Sequence, residues 1–178
     1  LSKVMNTVKL DALPTQAEEV DPAFVHHKAA EIPVIKDAGT RLTLIAGTSD
    51  GLVSPVKAFS DMVYADIAMA DGARYQVKAE HIERAIYVVG GEVEVVGQTG
   101  TFAKDELVVF KPGAEVILRA RGQTRIMLLG GEPLPEKRNI FWNFVSSSAE
   151  RIEQAKEDWK AGRFARVPGE SEFIPLPA

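Results

Sequence analysis

Short runs of alternating apolar and polar residues, parted by turn formers, fill most of this chain, and the period changes only near its end. Residues 63–69 give the plainest case. Val63, Ala65, Ile67 and Met69 fall on one side of a predicted strand, with Asp66 on the other. Ile32-Pro33-Val34-Ile35 and Arg41–Ala46 predict strands before it. Arg74–Val77 predicts another after an Asp71-Gly72 turn. Ala85–Val89 is almost continuously apolar and reads as a core strand. Gly90-Gly91 then reads as a turn, after which Glu92-Val93-Glu94-Val95 resumes the alternation with its valines inward. Segments 99–102, 106–110, 114–119 and 125–130 complete the series, with a Pro112-Gly113 turn among them. Turn signals every 8–12 residues or so predict a sandwich or barrel, here a small jelly roll. Ahead of it, Val4, Val8, Leu10 and Leu13 allow one short strand. Residues 14–31 read as a connector broken at Asp21-Pro22.

The period lengthens after residue 146. Ser147-Ser148-Ala149-Glu150 predicts a capping box with Ser147 at the N-cap. Ala149, Ile152, Ala155, Lys156 and Trp159 recur at helical spacing, and Gly162 stops the run beside Lys160 and Arg163. The expectation is a helix of about four turns packed on the barrel through Ile152 and Trp159. Pro168, Pro175 and Pro177 make residues 165–178 an extended tail.

Composition narrows the function. Of 178 residues, 46% are hydrophobic and 26% charged, which fits an ordinary globular core. The net charge of −4 comes from interspersed signs, so no basic stripe exists for direct nucleic-acid binding. No apolar run approaches the length of a membrane span. The absence of cysteine excludes disulfides, thiolate metal sites and a cysteine nucleophile, and it fits a reducing compartment, predicted here as the cytoplasm. The first residues, Leu1-Ser2-Lys3, lack both an initiating methionine and the apolar stretch of a signal peptide. A fragment of a longer protein is the expectation.

Candidate chemistry is sparse. Ser146-Ser147-Ser148 opens a helix rather than a nucleophile elbow, and Gly130-Gly131 lacks the partners of a phosphate loop. No catalytic set is therefore expected. Glu80, His81 and Glu83 form one group with enough donors to suggest a metal. Neighbours on a strand point to opposite faces, so a solvated loop is the favoured reading and the three stay weak candidates. His26-His27 lies in the connector and reads as exposed, or as capping an interface, rather than as a ligand pair. Phe141, Trp142 and Phe144 form an aromatic cluster. With Ile152 and Trp159 they are expected to pack beneath the helix, or to form an interface anchor.

Several segments together resemble the pirin-related proteins. Asp21-Pro22-Ala23-Phe24, Glu31-Ile32-Pro33-Val34 and Leu44-Ile45-Ala46-Gly47 are similar to the family's linker and the strand that follows it. Ile86–Val93 is similar to its second cupin barrel, and Leu128–Leu134 to its glycine-proline edge. Phe144-Val145, Glu150, Ile152, Gln154-Ala155, Asp158-Trp159 and Gly162-Arg163-Phe164 are similar to its C-terminal helix. The likeness runs over about residues 20–165. It implies an all-β fold, a cupin (jelly-roll, double-stranded β-helix) barrel with one C-terminal α-helix. It assigns residues 1–31 to a residual strand and linker from a preceding N-terminal cupin. Residues 32–145 become the barrel, 146–164 the helix and 165–178 the tail.

The resemblance also implies where metal chemistry belongs. Family members are bicupins whose first barrel holds a metal, usually iron, on a His-x-His and His/Glu set. Some act as redox-responsive coregulators of transcription or metabolism, and some cleave quercetin with dioxygen. Aligning the cupin motifs on Gly91 puts the acidic ligand at Arg84 and the histidine pair at Lys78 and Glu80, or at Val77 and Ala79. The later histidine falls at Val116 or Ile117. A cation and aliphatic groups cannot serve as ligands. No cofactor is therefore expected in this chain, and iron or another divalent metal would sit in the N-terminal cupin. The expected role is a metal-free structural or partner-contact half, its partner being that cupin or another protein. Two alternatives remain: part of a quercetin 2,3-dioxygenase-like enzyme, and a small-molecule binder using the barrel near Tyr64, Tyr75, Ile86 and Met127.

Overall fold

A computed structural model describes residues 12–166, 168, 169 and 171–177. The strand expected over residues 1–13 lies almost wholly outside them. The chain divides into two compact units, Pro22–Pro133 and the residues up to Asp21 together with those from Leu134 onward.

The larger unit is an all-antiparallel barrel of nine strands. In chain order they are β1 (Val34–Asp37), β2 (Thr40–Ser49), β3 (Leu52–Val53), β4 (Met62–Met69), β5 (Arg74–Val77), β6 (Glu83–Val95), β7 (Phe102–Ala103), β8 (Leu107–Phe110) and β9 (Val116–Gly131). Hydrogen bonding links them in the order β1-β2-β4-β9-β6-β7, with β3 on β2, β5 on β9 and β8 on β6. The alternation read in β4 is the one observed: Val63, Ala65, Ile67 and Met69 are buried. They meet Leu42, Leu44, Ile86, Val88, Leu118, Ile126 and Leu128 in one apolar core, whose burial supplies the main driving force for folding.

Two expected turns are interior points of long strands. Gly90-Gly91 does not end a strand; β6 runs through it, and its register against β9 shifts between Val88 and Glu92. This is a bulge. Ahead of it, Arg84, Ile86 and Val88 face inward; beyond it, Val93 and Val95 do. The extra residue changes the parity, so both halves bury their apolar faces. Gly91 has φ +75°, and a Cβ there would lie 2.4 Å from the Gln123 carbonyl oxygen, so glycine is required. Segments 114–119 and 125–130 are likewise two halves of β9, which pairs with β5 at one end and β4 at the other.

In the smaller unit, β10 (Asn139–Phe141) and β11 (Phe144–Ser146) form a hairpin, and the helix α1 (Ala149–Lys160) packs on it. The barrel segment expected over residues 32–145 includes this hairpin as far as Val145. The helix is twelve residues long, and its N-cap is Ser148, whose hydroxyl accepts from Arg151 N at 3.2 Å. Ser147 is not the cap because Glu18 holds it. The Glu18 carboxylate accepts from Ser147 N at 2.9 Å, from the hydroxyls of Ser147 and Ser146 at 3.0 and 3.1 Å, and pairs with Arg138 at 3.1 Å. Burial works to raise the Glu18 pKa, but the bonds from Ser147 and Ser146 and the Arg138 charge outweigh it and hold the carboxyl below its usual range. At the far end Gly162, φ +65°, closes a Schellman turn, with Arg163 N donating to Asp158 O at 2.9 Å.

Ile152 and Ala155 are buried on α1, and Trp159 is half-buried. Trp159 meets Trp142 edge-on at 5.2 Å between ring centroids, and Phe144, Phe164 and Phe173 lie within 6.2 Å of it. Phe141 carries the Lys156 ammonium over its ring at 4.0 Å. The five residues expected to pack, Phe141, Trp142, Phe144, Ile152 and Trp159, thus lie in the hairpin–helix unit.

Candidate functional site

The loop between β5 and β6 holds the polar side chains of interest, and each takes a different direction. Glu80 turns toward the end of β2, where its carboxylate accepts from Asp50 N at 3.1 Å and Ser49 Oγ at 3.4 Å. Asp50 in turn accepts from the Tyr75 hydroxyl at 2.8 Å and pairs with Lys78 at 2.8 Å. Burial, reinforced by the Asp50 charge, pushes the Tyr75 phenol far up, so it stays a neutral donor. The hydrogen bond to Asp50 raises Lys78 in the same way. This network pins the β2–β3 turn, at which Asp50 adopts φ +53°. Glu83 begins β6 and is exposed.

His81, expected in a solvated loop, is buried, its side chain only 3% exposed. Nε2 stands 3.0 Å from the Thr48 carbonyl oxygen. A carbonyl can only accept, so Nε2 carries the hydrogen, and the lone pair of an uncharged ring would lie on Nδ1. That Nδ1 is buried without a hydrogen-bond partner. It faces Asp61, whose Oδ1 is 3.6 Å away, and donor atoms of His81, Asp61 and Glu132 all lie within 4.8 Å of one another. Neither Glu80 nor Glu83 belongs to this group.

Asp61 immediately precedes β4, and Glu132 immediately follows β9. Their meeting depends on glycine. A Cβ at Gly131 would lie 2.7 Å from the Asp61 carbonyl oxygen, and one at Gly130 would lie 2.4 Å from that of Glu83. With glycine at both positions β9 passes close enough for Glu132 N to donate to Asp61 O at 3.0 Å. Ile82 N, next to the imidazole, donates to Glu132 Oε1 at 3.4 Å. Sequence reading missed Asp61 and Glu132, which are distant along the chain. The available signal was the Gly130-Gly131-Glu132 run at a strand end.

Three residues further along, Arg84 is buried at 2% exposure. Its guanidinium donates to the carbonyls of Lys78 at 2.7 Å, Lys111 at 3.1 Å and Val77 at 3.5 Å, tying the ends of β5 and β8 to β6. Its Nε has no partner.

The family model of the pirin C-terminal cupin domain matches residues 64–165. This chain belongs to the pirin family. A pirin-like protein of Caulobacter vibrioides is 46% identical over 169 residues, covering 93% of this chain and 57% of that protein. A Pseudomonas aeruginosa protein that carries the provisional name quercetin 2,3-dioxygenase is 32% identical, covering 88% of this chain and 50% of its own. Among solved structures, quercetin 2,3-dioxygenase from Acinetobacter baumannii superimposes with a TM-score of 0.83 at 25% identity, over 94% of this chain and 56% of that one. The chain thus spans about half the length of the relatives it matches, and the pirin-like cupin fold expected from sequence is the one found.

The ligand set of the metal-cupin motif does not fit this barrel. At the aligned ligand positions Arg84 is a buried cation, Val77 is a buried core residue, and Lys78 and Ala79 are exposed. Ile117 is 41% exposed. Of the residues considered for a bound small molecule, Ile86 is fully buried in the core. An open groove of about 830 Å³ lies elsewhere, against Lys36, Arg41, Gly91 and Arg125. No described helix is long and apolar enough to cross a membrane.

Proposed function

We propose that this pirin-type cupin is the structural and partner-contact half of a larger pirin-related protein, with oxygenase or redox chemistry supplied by a metal-bearing cupin half. The single observation that carries this reading is Arg84. A fixed positive charge stands where a cupin metal needs an acidic ligand, and it is spent on three carbonyls of the barrel end. Around it the core is filled by apolar side chains, with no polar constellation for substrate chemistry among the described core residues.

Contact with a partner falls to the hairpin–helix unit. Ile140 is 65% exposed and Trp142 37%, in a cluster of rings whose composition suits an interface core. The partner is the N-terminal cupin half or another protein.

The test uses the purified chain and the N-terminal half of the Caulobacter vibrioides relative. Sedimentation should give a one-to-one complex that Trp142→Ala weakens at least tenfold. The chain alone, supplied with ferrous iron, should not consume dioxygen with quercetin. Dioxygen uptake by the chain alone would overturn the reading. A second reading, a half of a quercetin 2,3-dioxygenase, draws on the likeness to the Acinetobacter baumannii enzyme. Quercetin cleavage that appears only when the two halves are combined would favour it.

A further inference from the structure

We infer that Asp61, His81 and Glu132 form a binding site for one divalent transition cation of the zinc or manganese class, at the barrel rim and independent of the role proposed above. Two exposed carboxylates near each other would mean little alone. The deciding feature is the imidazole between them. Its side chain is 3% exposed, its Nδ1 has no hydrogen-bond partner, and that nitrogen is directed at Asp61. A buried acceptor lone pair facing a carboxylate oxygen at 3.6 Å is repulsive unless a cation stands between them. With a proton the ring becomes an ion pair; with a metal it becomes a ligand.

Three features favour the metal. Nε2 is engaged by the Thr48 carbonyl at 3.0 Å, the outer contact that fixes tautomer and ring angle in metal-bound histidines. Two carboxylates converge rather than one, so a single proton on Nδ1 leaves the pair of negative charges underbalanced. The donor separations also suit an ion. Ligand bonds of about 2.0–2.2 Å span roughly 3–4 Å between donor atoms, and the three atoms already lie within 4.8 Å, two of them on exposed side chains with room to rotate inward.

One nitrogen and two carboxylates, with water completing the shell, are harder than a thiolate set and softer than an all-oxygen cage. That mixture suits zinc and manganese above magnesium or calcium. Zinc binds more tightly than manganese by the usual order of stabilities.

Calorimetric titration of the chelator-stripped full chain at constant pH tests this, with zinc alone as probe. One zinc per chain is expected, with manganese weaker and magnesium weaker still. The double variant Asp61→Asn/Glu132→Gln, altered only at exposed positions, should lose at least tenfold in zinc affinity. His27→Ala, which removes the imidazole paired with Glu31 in the connector, should bind as the parent does. In imidazole nitrogen NMR, zinc should move the His81 Nδ1 resonance. Absence of saturable zinc binding, an unchanged affinity in the double variant, or an unmoved Nδ1 would overturn the site.

Discussion

Arg84 stands near the start of β6 and His81 in the loop just before it, both buried, and their surroundings prepare opposite outcomes. The guanidinium is a permanent cation surrounded by carbonyl oxygens, so it closes the barrel end against a second positive charge. The imidazole has one carbonyl behind it and two carboxylates in front, groups that a cation held at Nδ1 would balance. Three residues of sequence separate a plug from a cradle. Counting histidines cannot tell the two apart; the direction in which each nitrogen points does.

The largest expected effect falls on the plug. Arg84→Ala strips three carbonyls of the guanidinium donor in a buried or part-buried setting, which should cost about 2–4 kcal/mol. Urea denaturation measures it, and an unchanged midpoint would mean the guanidinium is no structural tie. Trp159→Ala should cost about 2–3 kcal/mol, less than for a fully buried tryptophan because the ring is half-exposed. Thermal melting reads that loss, and zinc affinity should not follow it.

Gly131→Ala probes the cradle from its backbone. The new Cβ would collide with the Asp61 carbonyl, so β9 and the start of β4 must separate. A cost of about 1–3 kcal/mol is expected, and zinc affinity should fall with it as Glu132 moves from Asp61. Stability lost with zinc affinity retained would detach Glu132 from the site. The smallest effect belongs to Glu18→Gln, about 1–2 kcal/mol for lost charge-assisted bonds. Because the folded pKa of Glu18 lies below its unfolded value, its contribution is complete above the unfolded pKa. It disappears as pH falls through the folded one. Denaturation of parent and variant should therefore differ at neutral pH and converge in acid.

The barrel was legible because its pattern is local. Val63, Ala65, Ile67 and Met69 fix a face without reference to any other strand, and the family segments agreed with it. Gly90-Gly91 was misread because a turn and a bulge share the same residues; only pairing with distant β9 tells them apart. Ser147 lost the N-cap to Ser148 because a remote carboxylate claimed it. Of the metal candidates, sequence offered His81 with its neighbours Glu80 and Glu83. The partners it acquires, Asp61 and Glu132, are joined to it by strand register and by two glycines that permit close approach. Register is a long-range property, so no spacing along the chain could have named them.

An anomalous difference map at the zinc edge, from crystals of the full chain grown with zinc, examines plug and cradle together. The expected result is one peak within about 2.2 Å of His81 Nδ1, bridged to Asp61 and Glu132, with no density among the core side chains or beside Arg84. A peak inside the barrel, or none at His81, would contradict it.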